Sequence, residues 1–283
     1  MKSPMQMQTS QGAARGGRTA SKQQSAVWDV RILVSGLPMQ SCAVLLSGAP
    51  GHILVDTGFP QHEGLLLDGL HRAGVEAAQV TGVINTHYHI DHIGGNALFP
   101  NAWLYGSRHD FEWAVRIYES ICSGETRREV FRTFYPEIRD EEFDRMDQAR
   151  LLQLIKWMWD PAMVGDLARY RWLEDEPLNL PGIDVLPTPG HTPKHISLIV
   201  NGSDDRYMVV GDARAFQDES AIGYDMPPYC HADYQESRRL ISQFEGILIP
   251  GHDDPFSQSP GEESLEEETA SALARQPRPE PED

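Results

Sequence analysis

Residues 85–96 read NTHYHIDHIGGN and place His87, His89, Asp91 and His92 within six positions, directly after the apolar run VTGVI. With only 11 histidines in 283 residues, chance crowding is a poor account of this spacing. Imidazole and carboxylate donors at such density suit a transition metal. One loop cannot fill a catalytic site of that kind, which needs several protein ligands and keeps a position open for water. The remaining donors must come from far away in the chain. Three later segments offer them: TPGHTPKH supplies His191, VVGDAR supplies Asp212, and LIPGHDDPF supplies His252. Each follows an apolar run of strand length. The fold must therefore gather several strand ends at one edge, as open α/β sheets do where they bind ligands.

The rest of the chain reads consistently with that demand. VRILVSG (30–36), SCAVLLSG (41–48), HILVDTG (52–58), VTGVINT (80–86) and NAWLYGS (101–107) predict strands. HEGLLLDGLHRAG (62–74) has helical spacing and stops at a glycine. Residues 109–175 change character, with apolar residues recurring every three or four positions, and predict an insertion of two to four helices. Strands return at 182–188, 195–202, 206–212 and 246–252, with a helix over 232–244. Two strand-rich parts around a helical insert predict two sheets packed together and flanked by helices. The predicted domain covers 28–256, between disordered tails at 1–27 and 257–283.

Charge and cysteine usage narrow the function. The net charge is −18, and setting aside tails of +4 and −6 leaves about −16 on the body. Such a surface repels phosphate backbones and argues against nucleic-acid binding. No apolar run reaches membrane-spanning length, so no membrane partner is expected. Cys42, Cys122 and Cys230 are odd in number, widely spaced and without a CxxC, which suggests a reducing, cytoplasmic setting.

Five pieces, LVDTG, THYHIDHIGGN, TPGHT, VVGDA and IPGH, occur in an order that resembles the metallo-β-lactamase-fold hydrolase superfamily, over residues of about 30 to 256. The resemblance implies an α/β fold, a four-layer αββα sandwich, with two divalent metals per chain. It assigns His87, His89 and His191 to one metal, Asp91, His92 and His252 to the other, and Asp212 to both. Zinc is the expected metal, with iron and manganese also tolerated by such ligands. The implied chemistry is attack of a metal-bridging hydroxide on a carbonyl carbon, with Asp91 as a catalytic proton carrier. Asp56 is expected to tie the metal loop by hydrogen bonds, or else simply to form a strand-end turn.

The ligand set is closest to the lactonase and glyoxalase II-like hydrolases. True β-lactamases of the common class place a cysteine near the Asp212 position and often an arginine after Asp91; here Asp212 and His92 stand instead. A small ester, lactone or thioester substrate is therefore expected. Lactonases of this superfamily typically carry a tyrosine shortly after the bridging aspartate, which is absent here; Tyr224 is the candidate replacement. His62, Trp157 and Trp159 are candidate substrate contacts. The tryptophans of the insert suit equally a helical core or a homodimer surface, and His195 suits a structural hydrogen bond. Three alternatives stay open: a glyoxalase II-like thioesterase, a single-iron persulfide dioxygenase, and a non-catalytic metal-binding sensor.

Overall fold

The computed structural model describes residues 27–37, 40–123, 127–137, 161–218 and 228–260. Eleven strands form two sheets among the described residues. The first sheet runs in order β1 (Asp29–Val34), β2 (Ala43–Gly48), β3 (Gly51–Val55), β4 (Val80–Ile84), β5 (Trp103–Gly106) and β6 (Tyr170–Trp172). The second comprises β7 (Ile183–Pro187), β8 (Ile196–Asn201), β9 (Arg206–Gly211), β10 (Gly246–Pro250) and β11 (Phe256–Gln258), in spatial order β11-β10-β9-β8-β7. Strands β3 to β6 pair in parallel, as do β9 and β10; the other pairs are antiparallel.

The period-two alternation of strands sorts their side chains into layers. In β2, Val44 and Leu46 enter the core between the sheets, whereas Ala43 and Leu45 face outward. In β3, Ile53 and Val55 point inward and Leu54 outward. In β9 and β10, Val209 and Ile249 join the inter-sheet core while Met208, Val210 and Leu248 face the opposite side. Both faces are apolar because both are covered, which is why these strands read as nearly continuous hydrophobic runs. Helix α1 (Glu63–Arg72), through Leu66 and Leu70, covers the first sheet, together with α3 (Arg108–Ser123) and α4 (Arg127–Phe134). Helix α5 (His231–Ile241) covers the second through Ile241. A short helix, α2 (Ile90–Ile93), lies within the histidine loop. The layers are thus helix, sheet, sheet, helix, as expected.

Trp28 seals one end of the sandwich. It is fully buried in the inter-sheet core; its backbone N–H donates to Asn201 O (2.9 Å) and its indole N–H to Pro181 O (3.0 Å). Two expected boundaries are corrected. Residues 109–175 are not all helical: Tyr170–Trp172 form β6 and pair in parallel with β5. Alternate aromatic residues suit a strand, and the rings of Tyr170 and Trp172 stack at 4.5 Å on the same face. The second correction concerns the tail expected from residue 257. Ser257 and Gln258 lie in β11, antiparallel to β10. Gln258 holds this edge because its amide is buried, accepting from Arg214 Nη1 (2.9 Å) and donating to Ile241 O (2.7 Å). Residues 1–26 and 261–283, the rest of the expected tails, lie outside the described residues, as do 138–160 of the insert.

Leu198, fully buried in β8, fills the inter-sheet core, whereas Leu65 on α1 is 49% exposed. Leu198→Ala is expected to cost about 2–5 kcal/mol, read as a lower urea midpoint, and Leu65→Ala to stay within about 0.5 kcal/mol. Equal midpoints for the two variants would contradict the assignment of Leu198 to the core.

Candidate metal centre

The site is built from the turn that follows β3. Asp56 adopts a left-handed conformation, φ 54°, which aspartate tolerates better than most side chains. Three hydrogen bonds hold it there. Its Oδ1 accepts from Thr86 N (2.8 Å), and its Oδ2 from Thr86 Oγ1 (2.7 Å) and His92 Nδ1 (2.8 Å). Asp56 thus fixes the end of β4 and one histidine together. The closing Gly-Gly-Asn of the motif packs against the same turn. A Cβ on Gly95 would lie 2.8 Å from Thr57 O, and one on Gly94 would collide with Pro60. Asn96 exchanges hydrogen bonds with Asn85 (2.9 and 3.2 Å) and accepts from Thr57 Oγ1 (2.9 Å). The glycines are therefore a packing requirement.

All seven residues singled out as ligands come together. His87 and His89 follow β4, Asp91 and His92 lie on α2, His191 follows β7, Asp212 follows β9, and His252 follows β10. Ligand atoms of His87, His89, His191 and Asp212 lie within 4.8 Å of one another, as do those of Asp91, His92 and His252. Asp212 faces both groups with different oxygens. Its Oδ2 lies 3.3 Å from His191 Nε2 and 4.0 Å from His87 Nε2; its Oδ1 lies 3.2 Å from His92 Nε2 and 3.3 Å from His252 Nε2. Asp91 Oδ2 is 3.4 Å from His252 Nε2, and His89 Nδ1 is 3.0 Å from His191 Nε2.

Four of the five imidazoles have one ring nitrogen held from behind while the other joins the cluster. His92 Nδ1 donates to Asp56, and His252 Nδ1 donates to Leu37 O (2.9 Å) and Gln40 O (3.2 Å). His87 Nδ1 meets Thr86 Oγ1 (3.1 Å), and His89 Nε2 meets Tyr135 OH (3.3 Å). Such partners fix tautomer and ring direction in metal sites. The donor set fits cations on a further ground. The Nε2 atoms of His87 and His92 and both oxygens of Asp212 are buried and make no hydrogen bond. Polar atoms left so at the centre of a protein are costly unless something binds them.

The electrostatics divide the histidines. Burial holds His87, His89 and His191 below the ordinary imidazole range. Burial also acts against charged His92 and His252, but Asp212 overcomes it, aided by Asp56 at His92 and Asp91 at His252. His92 is held well above the usual range, and His252 is raised to about 9. Asp212 stays well below the ordinary carboxylate range despite burial, because His252, His92 and His191 surround it.

Other expectations fared variously. His195 is structural: Thr188 Oγ1 meets its Nδ1 (2.9 Å), Asp212 N donates to its Nε2 (3.1 Å), and burial lowers its pKa to about 3. His62 is partly buried and joins neither ligand group; its Nδ1 donates to Gln40 Oε1 (2.5 Å). Trp157, Trp159 and Tyr224 lie outside the described residues. Trp113 of the insert is buried with its ring 6.0 Å from that of His89 and 5.7 Å from that of Tyr135. Cys42 is a buried thiol whose pKa burial pushes up to about 12; it accepts from Gly36 N (3.1 Å) and donates to Asp253 O (3.3 Å). Sequence reading missed Tyr135 and Asp110. Both belong to the insert, and nothing in their local spacing separates them from ordinary helix-face residues.

The family model of the metallo-beta-lactamase superfamily matches residues 36–252. The chain is similar to metallo-beta-lactamase domain-containing protein 1 of Homo sapiens, with 30% identity over 216 residues, 76% of this chain and 62% of that protein. It thus spans less than two thirds of that relative's length. It is also similar to the N-acyl homoserine lactonase of Bacillus thuringiensis, 25% identical over 238 residues, 74% of this chain and 79% of the relative. Among solved structures it shares the fold of AidC, a dizinc quorum-quenching lactonase in complex with a product, at a TM-score of 0.53 and 17% identity, covering 81% of this chain and 84% of the other. The two-sheet sandwich, the clustered histidines and aspartates, and the family match across 36–252 converge on one conclusion: the chain belongs to the metallo-beta-lactamase superfamily.

Proposed function

We propose that the chain is a metal-dependent hydrolase of a small ester or lactone, with thioesters as the next substrate class. The observation that carries this reading is Asp212, whose two oxygens face separate groups of histidines. His87, His89 and His191 would hold one cation and Asp91, His92 and His252 a second, with Asp212 shared; zinc suits these nitrogen and carboxylate donors. Two such cations, when bound, supply Lewis acidity toward a carbonyl oxygen and bring the pKa of a water toward neutrality.

The chain's own residues orient and exclude. Asp56, Thr86, Leu37 and Gln40 aim the imidazoles through their second nitrogens. Asp91 is more exposed than Asp212, 9% against 1%, and would be the carboxylate to take a proton from the attacking water and return it to the leaving oxygen. The second group of donors, close together and complete, favours hydrolysis over a single-iron oxidation. The similarity to an N-acyl homoserine lactonase supports a lactone in particular. A small-molecule substrate also agrees with a body charge of about −16, which disfavours phosphate backbones. Among the described residues no helix is long and apolar enough to cross a membrane. Cys42 and Cys230 are free thiols, which supports a reducing, cytoplasmic setting. A panel of lactones, esters, thioesters and β-lactams, run on metal-analysed protein, tests the reading. Turnover of lactones or esters is expected, and oxygen uptake with a persulfide in their place would overturn it.

Two further outcomes are expected. Asp212→Ala removes the shared carboxylate, so kcat/KM should fall at least about 100-fold and metal content should drop below two per chain. Near-normal turnover with both metals retained would refute the shared role. The second outcome concerns protons. Because His92 and His252 are raised and hold protons in the metal-free site, metal uptake must displace them. Affinity should therefore strengthen as pH rises toward about 9 and weaken on acidification. Calorimetry in buffers of different ionisation enthalpy should show net proton release at neutral pH; uptake independent of buffer and pH would contradict it.

A further inference from the structure

We infer that Asp110 is a positioning residue that clamps the loop carrying His191 to the start of α3. The inference rests on the metal-binding reading above and extends it to the insertion, which holds none of the seven proposed ligands. Asp110 lies in the first turn of α3 and is fully buried. Its backbone N–H donates to Ser107 Oγ (3.2 Å), whose hydroxyl donates in turn to Glu174 Oε1 (2.5 Å), so the start of the helix is itself anchored. Its Oδ1 accepts from Lys194 N (2.9 Å), and its Oδ2 from Thr192 Oγ1 (3.0 Å).

The two donors are informative by their place in the chain. Thr192 directly follows His191, and Lys194 stands three positions after it. One acceptor-only group, with about four lone-pair sites, therefore ties the loop that delivers His191 to the anchored start of α3. Burying a carboxylate is costly, and among the described residues no cation pairs with it. Burial raises its pKa to about 6 in spite of the hydrogen bonds it accepts. A neutral apolar residue would serve the packing of α3 without that cost. What it cannot do is accept these bonds and hold the His191 loop against α3.

The test compares Asp110→Ala, Asp110→Asn and Thr192→Val with wild-type protein in competition titrations of zinc against a chromophoric chelator, with the urea midpoint of each metal-free protein measured in parallel. Asp110→Ala is expected to weaken one of the two zinc-binding phases by about 10- to 100-fold and leave the other near wild type. Asp110→Asn keeps an oxygen for Lys194 N–H and should recover most of the lost affinity. Thr192→Val removes one donor at nearly constant shape and should weaken the same phase by a smaller factor; it decides the matter if Asp110→Ala does not fold. Wild-type affinity in both Asp110→Ala and Thr192→Val would overturn the clamp. So would an equal loss in both phases that Asparagine does not restore, which would mark a general scaffold role. A wild-type protein that takes up no zinc, iron or manganese would overturn the metal reading itself, so the two failures are separable.

Discussion

A carboxylate with 1% exposure at the centre of a protein must share its surroundings with positive charge, and Asp212 is such a group. An isolated buried anion is too costly to keep, whereas one ringed by paired and oriented partners is tolerated. Four imidazole nitrogens lie within 4.0 Å of its oxygens, two on each side. Protons on His92 and His252, or cations in their place, supply the charge. The surrounding structure holds those groups at their distances: Asp56 at His92, the Leu37 and Gln40 carbonyls at His252, and His195 at the Asp212 backbone.

The sandwich is what makes such a ring available. The first sheet contributes the loop after β4, and the second contributes the turns after β7, β9 and β10. The centre therefore sits on the seam between the sheets, where neither sheet alone carries enough donors. The inter-sheet core of Val44, Leu46, Leu198, Val200 and Ile249 holds the two edges in register. Packing energy and ligand geometry are coupled, because a slip of one sheet over the other would separate His87 and His92 from Asp212 and His252.

Most of this frame was legible in the sequence because its physics is local. Strands buried on both faces show as apolar runs, and donors at their ends stand out beside glycines. The seven clustered residues were recognisable from five short pieces in order. What was illegible depends on contacts distant in sequence. Tyr170 and Trp172 sit amid helix-like spacing and become a strand only because β5 offers an edge. Gln258 looks like tail composition until Arg214 and Ile241 are brought beside it. Tyr135 and Asp110 carry no local mark, since their meaning lies in the loops they touch.

The order in which the centre's parts leave the ribosome is fixed by the placement of its loops. His87, His89, Asp91 and His92 emerge long before Asp212 and His252, which wait for β9 and β10. A nascent chain therefore displays a dense histidine cluster for much of its synthesis with no Asp212 to complete it. The parallel pairing of β9 with β10 spans α5, and pairings so distant in sequence form slowly. The full set of donors therefore comes together only once β9 and β10 have paired.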